Sequence, residues 1–149
     1  MPRPTSSTAG LTEVITKLRR ALRTSIRTEY SWESLPMAQV ELMQTLAEAG
    51  ELRVGDLADV MLLAPNTVSS LVRQAVTSGR AERIKDPEDG RVAIVRLTKD
   101  GSAQLRAWMK AHESRLGVAL AELSAKDRSD VLKAIGALDR LTAKLNELK

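Results

Sequence analysis

The sequence predicts a mainly α-helical protein with one small β-hairpin, and three observations carry the prediction. Apolar residues recur at helical spacing along most of the chain, with proline and glycine at the breaks. Two short strand-like segments, "AERIK" and "RVAIVRL", bracket the turn-forming hexapeptide Asp86-Pro-Glu-Asp-Gly-Arg91. The chain has 149 residues, 43% apolar and 28% charged, which suits one globular unit with a single core.

The elements follow in order. Residues 1–10, "MPRPTSSTAG", lack an apolar secretion signal and read as a disordered lead. A single unit is expected over 11–149. From Leu11 to Tyr30 the positions Leu11, Val14, Ile15, Leu18, Ala21, Leu22 and Ile26 form one helical face, and this first helix is taken to about residue 31. Pro36 opens a second helix through Val40, Met43 and Leu46 that stops at Ala49-Gly50. A turn at Gly50-Glu51 precedes a short helix, "GDLADVM", and then a helix from Pro65 to Ser78 with Gly79 as its cap. The hairpin comes next. Thr98 caps a long helix with Leu105, Trp108, Met109, His112, Leu116, Leu120 and Leu123 on its apolar face. Ser124 and Asp127 resemble a capping box that starts a last helix, striped by Val131, Ile135, Leu138, Leu141, Leu145 and Leu148.

Composition excludes several function classes. With no cysteine there is no disulfide, thiolate catalysis or Cys-ligated zinc, and a single histidine argues against a metal site. No apolar run approaches the roughly 20 residues that span a bilayer, so no membrane association and a cytoplasmic location are expected. Neither a nucleophile with its base nor a Gly-rich phosphate loop is present, so the chain does not read as an enzyme and no cofactor is expected. The net charge of +4 is modest but uneven. Residues 36–52 carry three acids and no base, whereas residues 65–85 carry Arg73, Arg80, Arg83 and Lys85 against Glu82 alone.

In the helix from Pro65, the residues Val68, Leu71, Val72, Ala75 and Val76 share one face, while Asn66, Ser69, Ser70 and Arg73 share another. Asn, Thr and Ser lose up to ~0.7 kcal/mol each in helix propensity, so an outer face built from them suits a surface that lies against something. The second helix of a helix-turn-helix enters the major groove N-terminus first, which requires short early side chains, and Pro65, Asn66, Thr67, Ser69, Ser70 and Arg73 fit that need. An ordinary amphipathic helix with a neutral outer face accounts for this segment equally well. In the hairpin, Arg91 suits the narrow, negative minor groove, with Asp89 accepting from it to fix its direction. A plain surface Asp-Arg pair beside an Asp-Gly turn explains those two residues taken alone.

Both features together, in this order, resemble the winged helix-turn-helix of the MarR (multiple antibiotic resistance regulator) family. The wing signature of that family, Asp-x-Arg, five residues, then Leu-Thr, is matched by Asp89, Arg91, Leu97 and Thr98 in "DGRVAIVRLT". "GDLADVMLLAPNTVSSLVRQAVTSGR" looks like the family's two helices and following glycine. The resemblance implies a winged helix-turn-helix over about 36–98, flanked by dimerisation helices over about 11–31 and 99–148. It implies a homodimer that binds double-stranded DNA at a pseudo-palindromic operator, most simply as a repressor. Candidate DNA contacts are then the helix residues above and, in the wing, Arg83, Lys85, Asp89 and Arg91. Candidate dimer contacts are Leu11, Ile15, Leu18, Val131, Ile135, Leu138 and Leu145, for which intrachain core is the alternative.

The chain departs from the family at Leu62, where a glycine is frequent, and at Ala64, where a serine cap is frequent. Ser70 stands at a position often basic, Ala75 at one often leucine, and Arg80-Ala81 replaces a more apolar pair. The resemblance also implies release by a small aromatic or anionic effector, for which Arg27, Tyr30, Trp32, Trp108 and His112 supply a guanidinium and aromatic walls. Simple packing is the competing reading of Trp108, and a satisfied, partly buried histidine that of His112. The rival function is a winged-helix module that docks a protein through the same face.

Overall fold

The computed structural model describes residues 7–26 and 35–148. It contains α1 (Thr8–Ile26), α2 (Met37–Ala49), β1 (Glu51–Arg53), α3 (Val54–Met61), α4 (Pro65–Thr77), β2 (Ala81–Lys85), β3 (Ala93–Leu97), α5 (Lys99–Ala121) and α6 (Ala125–Glu147). The fold is therefore mainly α with a small antiparallel sheet. Helix α1 starts at Thr8, so Thr8–Gly10, expected in the lead, are helical: Ser7 accepts from Leu11 N–H through its carbonyl at 3.0 Å. Pro36 is the N-cap of α2 rather than its first residue.

The sheet has one strand more than expected. Its order is β1-β3-β2, with Leu52 opposite Val95 and Arg83 opposite Val95 on the other side. Arg91 and Val92, read as strand, lie in the turn before β3. Val92 N–H bonds to the Asp89 carbonyl at 2.9 Å there, and the Asp86 N–H to the Val92 carbonyl at 3.0 Å closes the loop.

The described residues fall into two compact units. In the larger, α2, α3, α4 and the sheet bury Leu42, Leu46, Leu57, Val68, Leu71, Val72, Ala75, Ala81 and Val95 as one cluster. Val40, Met43 and Leu105 form a second cluster, with Trp108 against it. In the smaller unit, built from residues 7–22 and 112–148, Gly10 is the only buried residue among those described. Within that unit Arg128 ties α6 to the end of α5, donating from Nε to the Leu120 carbonyl at 2.9 Å and from Nη2 to the Ala121 and Leu123 carbonyls at 2.9 and 3.2 Å. Orphan carbonyls at a helix C-terminus are thereby satisfied.

Two junctions position α4. At its start, α3 ends in a double bond pattern, Leu63 N–H to Ala58 C=O and Leu62 N–H to Asp59 C=O at 3.2 and 3.3 Å, which requires a left-handed residue. Leu62 adopts it, at φ 52° and ψ 42°, at a penalty of about 1–2 kcal/mol that glycine would avoid. Ala64 caps α4 without a side-chain bond, leaving Pro65 to preset the first turn. At its end, Gly79 (φ 74°) allows Arg80 N–H to reach the Ala75 carbonyl at 2.9 Å.

The Leu-Thr of the wing signature acquires a physical meaning at this second junction. Thr98 Oγ1 accepts from Gly101 N–H at 3.0 Å, capping α5, and donates to the Gly79 carbonyl at 2.6 Å. Thr98 N–H donates to the Arg80 carbonyl at 3.0 Å. Gly101 lies so close that a Cβ there would sit 1.9 Å from the Arg80 oxygen. Nearby, the Arg80 Nε donates to Gln104 at 3.1 Å, and burial pushes its guanidinium pKa down. At α6, Ser124 accepts from Asp127 N–H at 3.0 Å as expected of the cap, but its hydroxyl bonds back to the Asp127 carboxylate at 2.8 Å.

Candidate nucleic-acid interface

Helix α4 buries Val68, Leu71, Val72 and Ala75 and turns the rest outward. Pro65, Asn66, Thr67 and Arg73 are exposed, and Ser69 and Ser70 are half-buried at the margins of the core face. Asn66 Oδ1 accepts from Thr67 N–H at 2.9 Å, which orients the amide at the first turn. The outer surface of this helix is thus short and polar, with Arg73 as a long cation.

At the wing tip, Arg91 stands with its side chain 92% exposed. Its backbone N–H and its Nε both donate to Asp89 Oδ1, at 3.1 and 3.2 Å. The expected aiming of Arg91 by Asp89 is therefore present in the geometry. The backbone bond first, then the guanidinium, hold the Asp89 carboxyl below its usual range.

Pairing register separates the charges of the sheet by face. Arg83 lies opposite Val95 and Lys85 opposite Ala93, on the face that carries Ala81, Val95 and Leu52 toward the helices. Glu82 lies opposite Arg96 and Glu51 opposite Arg96, on the other face. There Arg96 Nε donates to Glu82 at 2.7 Å, and Glu82, with Glu51 behind it, raises the Arg96 pKa. Arg53 is also neutralised, by Asp86 at 2.6 Å and Glu88 at 3.6 Å. By contrast Arg73, Arg83 and Lys85 make no ion pair among the described residues, leaving their charge available on the α4 side.

Reasoning from sequence missed three residues behind this surface: Asp86, its partner Arg53, and Gln39. Asp86 is 4% exposed and anchors the base of the wing, accepting from Glu88 N–H at 2.9 Å while paired to Arg53 of β1. An acid in a turn-forming hexapeptide gives no sign of burial, because its partner lies on a distant strand. The third, Gln39, is buried on α2, and its spacing to Leu42, Met43 and Leu46 marks a polar group on an apolar face.

Of the five effector candidates, Arg27, Tyr30 and Trp32 lie outside the described residues. Trp108 is half-buried and packs on the cluster of Val40, Met43 and Leu105, and His112 is half-buried on α5. The seven dimer candidates, Leu11, Ile15, Leu18, Val131, Ile135, Leu138 and Leu145, are all exposed in the single chain. Helix α6 has no buried residue at all.

Comparison with known proteins agrees with this anatomy. Residues 35–93, from α2 to the start of β3, match the model of the MarR family. The chain is 32% identical over 119 residues to YxaD of Bacillus subtilis, described as an uncharacterized HTH-type transcriptional regulator, covering 78% of this chain and 80% of that protein. It belongs to the MarR family. As a MarR-family chain it is a transcription regulator rather than an enzyme. Solved structures share its fold: Mycobacterium tuberculosis RV1404 aligns with a TM-score of 0.76 at 17% identity, covering 94% of this chain and 97% of that one. Streptococcus pneumoniae FabT, solved in complex with DNA, aligns at 0.71 with 18% identity, covering 95% and 96%. Among the described residues no helix is long and apolar enough to cross a membrane.

Proposed function

We propose that this MarR-family protein is a homodimeric repressor that reads a pseudo-palindromic operator, α4 entering the major groove and Arg91 the adjoining minor groove. The observation that carries the reading is the partition of cations. Arg53 and Arg96 are neutralised by acids, while among the described residues Arg73, Arg83 and Lys85 make no ion pair on the α4 side of the wing, and Arg91, though tethered to Asp89, keeps its side chain 92% exposed. A duplex supplies the missing counter-charge. Asn66, Thr67, Ser69 and Ser70 are short enough to let the α4 backbone approach base edges. The FabT complex supports the reading as the behaviour of a protein of this fold.

Homodimerisation rests on the smaller unit. Leu11, Ile15 and Leu18 of α1 and Val131, Ile135, Leu138 and Leu145 of α6 are left 40–57% exposed in one chain. A second copy removes them from water, at roughly 25 cal/mol per Å² of apolar surface. It also presents two copies of α4 to half-sites about 10 base pairs apart. A protein of this kind works in the cytoplasm beside the chromosome.

The test is a salt titration of binding to sheared genomic DNA, followed by sequencing of what is retained. If Arg73, Arg83 and Lys85 of both protomers each neutralise one phosphate, log K falls with log salt at a slope of about −5. A flat salt response, or retention of no DNA, would count against DNA reading and in favour of a protein-docking module.

A further inference from the structure

We propose that Gln39 is a positioning residue for DNA reading, setting the roll of α4 and holding Gln74 away from the duplex. This rests on the reading of α4 given above. Gln39 is 1% exposed, on the face that α2 turns to the core. Its Nε2 donates to the Leu71 carbonyl and to Gln74 Oε1, both at 3.0 Å. Because a carbonyl only accepts, the Leu71 bond fixes which end of the amide is nitrogen. The Gln39 oxygen is then left buried with no hydrogen-bond partner among the described residues.

That arrangement is poor for stability and good for geometry. A buried amide oxygen without a donor destabilises the fold, so an apolar side chain of similar volume would serve the core at least as well. What the amide supplies is a directional, two-point tie between α2 and the middle of α4, one to backbone and one to side chain. The junctions at Leu62 and Gly79 hold the two ends of α4, and the amide tie adds a directional restraint on roll at its middle. A roll of about 20° carries a side-chain tip at the ~5.5 Å helix radius through roughly 2 Å. Productive recognition geometry tolerates about 0.5 Å. The same tie engages the amide oxygen of Gln74, an exposed side chain one residue beyond Arg73, and so draws that side chain toward α2 rather than toward base edges.

The experiment compares wild type, Gln39→Met and Gln74→Ala by thermal melting, and by anisotropy titration on a selected operator duplex and on a scrambled duplex. For Gln39→Met the expected result is a melting midpoint equal to or above wild type. Its operator affinity should fall about tenfold and its operator-to-scrambled ratio by a similar factor, with scrambled binding unchanged. Gln74→Ala, which cuts only the outer half of the tie, should lose less than Gln39→Met. A Gln39→Met protein with wild-type affinity and ratio overturns the proposal. So does a larger loss for Gln74→Ala, which would make Gln74 a DNA contact itself. If wild type binds neither duplex, the DNA-reading assignment fails first and takes this one with it.

Discussion

Adding one methyl group at Gly101 tests the junction that aims α4 and the wing. A Cβ there would lie 1.9 Å from the Arg80 carbonyl oxygen, and this oxygen belongs to backbone that cannot swing aside. Restoring an ordinary contact of about 3.4 Å or more requires a displacement of at least about 1.5 Å. That shift removes the Thr98 N–H to Arg80 bond, now 3.0 Å, and the Thr98 Oγ1 to Gly79 bond, now 2.6 Å. Two lost bonds contribute about 1 kcal/mol each, and the overpacking itself about 1–3 kcal/mol, so Gly101→Ala should destabilise by roughly 3–5 kcal/mol. Urea unfolding with the slope m held constant measures it, and the thermal midpoint should drop by about 6–20 °C. Gly55→Ala is the control, since nothing stands within 4 Å of its Cβ position in α3, and its effect should be neutral to mildly stabilising. A Gly101→Ala loss under about 1 kcal/mol would refute the close-approach argument.

Three further outcomes follow from the same geometry. Arg91→Ala should leave the circular dichroism spectrum and melting midpoint unchanged, because the side chain is 92% exposed, while weakening operator binding by about 1–3 kcal/mol in a gel-shift titration. Ile135→Glu together with Leu138→Glu should convert a dimer to a monomer in sedimentation equilibrium at micromolar concentration, since it places carboxylates in an apolar seam; a dimer of unchanged affinity would move the interface elsewhere. Asp89 has its folded pKa depressed, so its contribution to the wing is present above the unfolded value of about 3.9 and is lost as pH falls through the lower folded value. The Arg91 Nε–H resonance should therefore stay constant from pH 8 to pH 5 and move only below the ordinary aspartate range.

Much of the fold is written in local signals. The helices announce themselves through apolar spacing, and Pro65 and Gly79 bound α4 through fixed φ and left-handed φ respectively. The wing tip is equally legible, because Asp89 and Arg91 interact across two residues of sequence. What escaped were features that exist only once distant segments meet. β1 is three residues long, too short to show alternation, and becomes a strand because Leu52 finds Val95. Asp86 is buried because Arg53 arrives from β1, and Gly101 is obligatory because the Arg80 backbone lies against it. Gln39 was detectable in principle as a polar side chain at core spacing. Leu62 stands where the family frequently has glycine, and its left-handed backbone gives that departure a magnitude.

In the proposed function, two copies of α4 and of the Arg91 wing engage one duplex. Selection of bound oligonucleotides from a random pool measures this most directly. A two-fold symmetric consensus with half-site centres about one helical turn, ~10 base pairs, apart is the predicted result. An asymmetric single site, or no enrichment over the starting pool, would contradict it.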